Sequence, residues 1–103
     1  FEVYRNFNFF LMGLHVQEKT AEVYFQEAEV NKINILSNFY DKGTNKNIII
    51  KLFYKNNLIA TKKIKLENYP KWTPVDLNGI KISKVIIKLP KNITGLAEVK
   101  LLR

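Results

Sequence analysis

The sequence predicts an all-β fold, an antiparallel β-sandwich or jelly roll of about seven or eight strands. Apolar and polar residues alternate with a period of two, as where Ile48, Ile50 and Leu52 interleave with Ile49, Lys51 and Phe53. That alternation is the pattern of a strand with one face buried. Turn-forming residues, among them Gly13, Gly43, Asn56-Asn57, Asn78-Gly79 and Gly95, punctuate these runs, with a spacing of roughly ten residues that suits a sandwich. The runs themselves are rich in aromatic and β-branched residues, which fit a pleated half-buried surface better than a helix.

The elements follow in order. Residues 1–12 place Phe1, Val3, Phe7, Phe9 and Leu11 on odd positions, interrupted by Arg5, and Gly13 ends the run. Residues 20–26 alternate Ala21, Val23 and Phe25 with Thr20, Glu22, Tyr24 and Gln26. Residues 27–31 are expected to turn or bulge, and Ile33 and Ile35 continue the pattern. A polar loop, residues 38–47, follows around Gly43. The clearest hairpin joins residues 47–55 to residues 58–66, with Asn56-Asn57 as the turn, because Asn tolerates the positive φ of two-residue hairpin loops. Residues 72–77 are extended and closed by Asn78-Gly79, a tight-turn dipeptide. Val85, Ile87 and Leu89 then share one face, and Ala97, Val99 and Leu101 form a final strand after Gly95.

All 103 residues fit one domain. Cysteine is absent, which excludes a disulfide framework and a thiolate metal site. No apolar run approaches the roughly 20 residues of a membrane-spanning helix. The chain opens on Phe1 and enters a strand-like pattern at once, as expected of a piece of a longer protein.

Net charge is +8 and unevenly placed. Residues 1–45 hold four basic against six acidic side chains (−2), and residues 46–103 hold 13 basic against three acidic ones (+10). Such a balance can serve an anionic partner. Most of these lysines alternate with apolar residues, however, and Arg103 is the only arginine among them. They read as solvated outer faces and as guards against edge-to-edge aggregation. A specific nucleic-acid site is therefore not expected, and binding to DNA or heparin should fade by physiological salt.

Catalytic groups are sparse. His15 is the single histidine, Ser37 and Ser83 lie in no nucleophile motif, and the carboxylates are scattered. The expectation is a non-enzymatic chain. No cofactor is expected; Asp41-Lys42-Gly43-Thr44-Asn45 is the nearest candidate for a calcium loop, and Lys42 counts against it. Asn92-Ile93-Thr94 matches a glycosylation acceptor.

The last third carries a resemblance. Trp72 before Val75-Asp76-Leu77-Asn78-Gly79, the run KVIIKL at residues 84–89 and GLAEVKLL at residues 95–102 resemble the end of a galactose-binding-like β-sandwich. This is the jelly roll of discoidin or coagulation-factor (F5/8) type C domains and many carbohydrate-binding modules. The resemblance runs from about Asn31 onward and is strongest after Trp72; the family's Asp-Gly and Trp landmarks are missing from the first third. It implies a non-catalytic module that binds glycan for a larger parent protein, in an extracellular or cell-surface setting. It also implies that Trp72 packs at the end of the core, the alternative being an exposed indole that stacks on a sugar ring, that Glu98 is structural, and that ligands are gripped by loops at one end. The loop residues of suitable chemistry here are His15, Asn38, Tyr40, Asp41 and Asn45, since sugars want planar polar partners and an apolar surface together. The alternative is a structural or protein-interaction domain of the same fold, its partner surface drawn from outward Ile49, Phe53, Ile59 and Ile86.

Overall fold

Two long strands, bent in the middle, set the architecture. The computed structural model describes residues 2–8, 19–37, 46–90 and 95–102. Its strands are β1 (Glu2–Asn8), β2 (Lys19–Ser37), β3 (Asn47–Tyr54), β4 (Asn57–Lys65), β5 (Trp72–Leu89) and β6 (Gly95–Leu102). All neighbours pair antiparallel, in the order β1-β6-β2-β5-β3-β4.

β2 and β5 pair along their whole lengths, from Lys19↔Leu89 to Leu36↔Trp72, with two irregularities. Between Tyr24↔Lys84 and Ala28↔Ile82, β2 carries three residues against one on β5. Between Val30↔Ile80 and Lys32↔Asp76 the imbalance reverses, and three residues of β5 face one of β2. The two bulges cancel, so the register beyond Lys32 matches the register before Tyr24. Bulges bend and twist the strand that holds them, and here they divide the ribbon into two arms.

Each arm belongs to its own layer. In the first, residues 32–37 of β2 pair with residues 72–76 of β5 on one side and with β6 on the other, and β1 pairs with β6. In the second, residues 19–24 of β2 pair with residues 84–89 of β5, followed by β3 and β4. Ile33, Ile35 and Val99 of the first layer and Ile48, Ile50, Leu52, Val85 and Ile87 of the second are all 0% exposed and belong to one core. A single sheet cannot bury a face this completely. The layers therefore lie face to face, and the shortest extent of 21 Å fits two sheets about 10 Å apart with their outward side chains.

The expected strand faces hold for β3, where Ile48, Ile50 and Leu52 are buried, and for Val85, Ile87 and Leu89. The expected count of about seven or eight strands becomes six described strands. Because β2 and β5 each serve both layers, the six described strands supply eight strand segments. Two turns are placed differently. Asn78-Gly79 keeps the positive φ values that made it look like a turn, 57° and 72°, but sits in the β5 bulge, and the strand continues through it. The β3–β4 hairpin turns at Lys55-Asn56, with φ of 49° and 66°, while Asn57 already pairs with Tyr54. The final strand also shifts face. Leu96 is buried with Val99 and Leu101, and Ala97 is half-buried, because the β2–β6 register slips between Leu36 and Ser37.

Candidate functional site

Register places the strand ends in two rows. In the first layer Asn8 pairs with Gly95, Leu96 with Ser37, and Leu36 with Trp72. In the second, Lys19 pairs with Leu89, Lys88 with Ile49, and Asn47 with Lys65. Since the ribbon bends at its middle, both rows stand at the same end of the sandwich. The opposite end holds the bulges, the Lys55-Asn56 turn and the chain ends Glu2 and Leu102. Accordingly, the strands on either side of residues 9–18, 38–46, 66–71 and 90–94 all meet that first end, and each of these segments joins one layer to the other.

The segment 66–71 is pinned from both layers. Leu66 is buried in the core and donates its N–H to the Lys46 carbonyl at 2.9 Å. The Ser37 hydroxyl donates to the Glu67 carbonyl at 2.9 Å, and the Glu67 N–H donates to the Thr73 hydroxyl at 2.8 Å. Among the described residues, Ser37 and Thr73 are the buried polar ones, 1% and 6% exposed, and each spends its hydroxyl on this segment. Lys71 closes the turn through its N–H on the Asn68 carbonyl at 2.9 Å, across a cis Tyr69–Pro70 bond. Tyr69 is 41% exposed at the outside of this turn. Sequence reasoning passed over Tyr69, although the Tyr-Pro dipeptide marked a turn with an aromatic ring at it.

Trp72 lies beside this segment, and its place differs from the expected one. Thr73, Val75 and Leu77 face the core, so Trp72 points to the outer side of the first layer, where it is half-buried. The Lys100 ammonium lies 4.5 Å from the centroid of its ring. Cross-strand pairing explains the match: Lys100 opposes Asn34 and Leu36 opposes Trp72, which makes Lys100 and Trp72 diagonal neighbours across β2. The indole is a covered surface ring, and Leu66, Leu96 and Leu89 plug that end of the core instead.

Of the candidate residues, His15, Asn38, Tyr40, Asp41 and Asn45 lie outside the described residues, as do the rest of the candidate calcium loop and Asn92-Ile93-Thr94. The strands that flank residues 9–18 and 38–45 end in the rows just described. Among the described residues, no group of three or more His, Cys, Asp and Glu side chains is placed to hold a metal.

Depressions lined by described residues include two of distinct chemistry. One, of ≈ 120 Å³, lies at the same end of the sandwich and is lined by Asn47, Ile49, Lys88, Leu89 and Pro90. The other, of ≈ 340 Å³, lies at the bend and is lined by Glu27, Ala28, Glu29 and Asn31. There Glu27 meets Lys81 at 4.0 Å, and Lys81 and Lys55 lie over the Tyr54 ring at 5.7 and 5.3 Å.

No protein-family model and no curated protein sequence matches the chain. Solved structures do. A fucose-binding module of Streptococcus pneumoniae superposes with a TM-score of 0.65 at 20% identity, over 84% of this chain and 66% of that one. A second Streptococcus pneumoniae fucose-binding module gives 0.60 at 15% identity, over 84% and 70%. The lectin domain of lectinolysin, solved with Lewis B antigen, gives 0.65 at 14% identity, over 98% and 71%. The chain shares their β-sandwich fold. It spans slightly under two thirds of the length of the first.

Proposed function

We propose that this chain is a non-catalytic carbohydrate-binding module of the galactose-binding-like type, working within a larger protein. The observation that carries the reading is the fold itself, which matches a lectin domain across 98% of the chain and two fucose-binding modules across 84%. The geometry supports it. Segments that cross between rigid layers and leave from one end can differ in sequence without disturbing the core, which is how a scaffold presents variable binding residues. The segments between the strands that end there include His15, Asn38, Tyr40, Asp41 and Asn45 in their sequence, together with exposed Tyr69.

A second reading, a protein-interaction domain of the same fold, is favoured by Leu58 and Ile59, which are 52% and 44% exposed beside the hairpin turn. A glycan array that includes fucosylated oligosaccharides tests the first reading. Selective binding of one glycan class supports it. Silence across the array, together with loss of a parent-domain contact on Leu58→Ser/Ile59→Ser, replaces it with the second.

A further inference from the structure

The lysines of the second half do not spread evenly over the surface; register gathers five of them on one face. On the outer side of the second layer, pairing produces one row of Lys88, Ile49 and Lys63 and a second of Ile86, Lys51 and Thr61. A third row runs Lys84, Phe53 and Leu58, and Lys65 opposite Asn47 extends the first toward the segment-bearing end. Lys51, Lys63, Lys65, Lys84 and Lys88 thus share this face, and in register Glu22 pairs with Ile86. Neighbouring strands are about 4.8 Å apart and alternate residues on one strand about 6.8 Å apart. The face is therefore a lattice of cations at spacings comparable to those of acidic groups along a polymer.

Between the cations lie Ile49, Phe53 and Ile86, half-buried, with Lys84 over the Phe53 ring at 4.5 Å. At the corner of the face sits the ≈ 120 Å³ depression, lined by Asn47, Ile49, Lys88, Leu89 and Pro90, which combine an ammonium-bearing and an amide-bearing side chain with apolar ones. An ammonium attracts a carboxylate or sulfate, an amide takes hydroxyls, and the apolar sides accept the C–H face of a ring. Enclosed ligand pockets are several times larger, so this one suits a single ring or acidic substituent of a chain that continues over the lysines.

We infer that the outer face of the second layer binds an acidic polysaccharide, with one residue seated against Asn47, Ile49, Lys88 and Pro90. This rests on the carbohydrate reading and names a ligand class for it, on a sheet face that adjoins the segment-bearing end. It departs from the solvated-face expectation, because alternation along one strand does not reveal that three strands stack their lysines together. Single-stranded nucleic acid fits less well. Its bases need stacking rings, and Lys84 already covers the Phe53 ring on this face.

The test is titration at about 150 mM salt, where long-range attraction between exposed charges is largely screened. Heparin and polygalacturonate are the acidic probes, and dextran, a fucosylated oligosaccharide and duplex DNA the comparisons. The acidic glycans should bind, and DNA should bind at least about tenfold more weakly. Lys63→Glu/Lys88→Glu should lower acidic-glycan affinity by about tenfold or more, through lost phosphate-like charge contacts. Lys32→Glu/Lys81→Glu, the same charge change off this face, should leave it within about twofold. Lys63→Gln/Lys88→Gln stands in if the reversal does not fold, with thermal melts as the check. Equal binding of DNA, or equal loss in both double variants, overturns the inference. Binding of the fucosylated oligosaccharide without the acidic glycans overturns it and leaves the carbohydrate reading standing; silence toward every glycan sinks both.

Discussion

Lys100 carries its ammonium 4.5 Å from the centroid of the Trp72 ring, across the intervening strand β2. Trp72 is the only tryptophan, so its fluorescence reports this contact alone. Lys100→Ala removes both the charge and the stem that shades the ring. Emission should move to the red and iodide quenching should rise, while stability falls by about 0.5–1 kcal/mol, the worth of an exposed cation–π pair. An unchanged spectrum would mean that Trp72 is packed in the core after all.

The β5 bulge rests on two left-handed residues, Asn78 and Gly79. A Cβ at Gly79 meets only the Asn31 side chain, at 3.4 Å, so there is space for it and the cost is one of backbone conformation. Gly79→Val should therefore destabilise by about 1–2 kcal/mol. Chemical denaturation measures this. A neutral substitution would place the bend of the ribbon elsewhere.

The two faces of β3 give the sharpest stability contrast. Leu52 is 0% exposed in the shared core, and Leu52→Ala should cost about 2–5 kcal/mol. Lys51, its neighbour on the outer face, should cost within about 0.5 kcal/mol when changed to Ala. Similar costs in paired denaturant melts contradict the strand faces.

What the sequence disclosed depended on whether the signal was local. The β3 faces were legible because Ile48, Ile50 and Leu52 need only their own alternation to declare a side. The bend of the β2–β5 ribbon was not, because Asn78-Gly79 has the same φ preference in a hairpin turn and in a bulge. What decides between them is the partner strand, where Asn31 alone faces three residues of β5. The hairpin turn shows the same ambiguity on a smaller scale. Asn56 and Asn57 both tolerate positive φ, and the pairing of Tyr54 with Asn57 gives that role to Lys55 and Asn56. Trp72 was misplaced for a related reason: a tryptophan at a strand start suits a core plug or a covered surface, and only Lys100 from a distant strand shows which. The candidate end was partly legible, since polar segments separate the strands, but that the flanking strands share one end follows from the long-range register.

The pinning of residues 66–71 predicts a local weakness. Thr73→Val keeps the shape of the side chain but leaves the Glu67 N–H without its acceptor. The expected cost is about 1–3 kcal/mol, the penalty of an unsatisfied part-buried donor. Hydrogen exchange at the Glu67 amide should quicken by more than exchange in β3. Uniform quickening across the sandwich would show a global loss, and the hydroxyl would then not be acting on this segment.

The last prediction concerns the neutral-glycan site, which we assign to the end where the layers are joined. The sequences of the segments between the strands that end there hold four kinds of group: the imidazole of His15, the rings of Tyr40 and Tyr69, the amides of Asn38 and Asn45, and the carboxylate of Asp41. The opposite end offers the Tyr54 ring, but Lys55 and Lys81 already lie over it. A sugar needs a ring face for its C–H side and amide or carboxylate partners for its hydroxyls; the segments at the first end carry both in their sequence, whereas at the Tyr54 ring a sugar would displace a cation. On titration with the glycan selected from an array, amide shifts should therefore cluster in residues 38–45 and 66–71 and leave residues 54–57 unmoved. Tyr40→Ala and Asn45→Ala should each weaken binding by about tenfold, equivalent to one well-made contact of about 1.4 kcal/mol, and should leave the melting curve unchanged. Tyr69→Ala tests the ring that sequence reasoning passed over, and a similar loss there would extend the site onto the pinned segment. If the shifts fall on the lysine face while residues 38–45 stay still, the acidic-polysaccharide face is the glycan site of this protein and the assignment to the crossing segments is wrong.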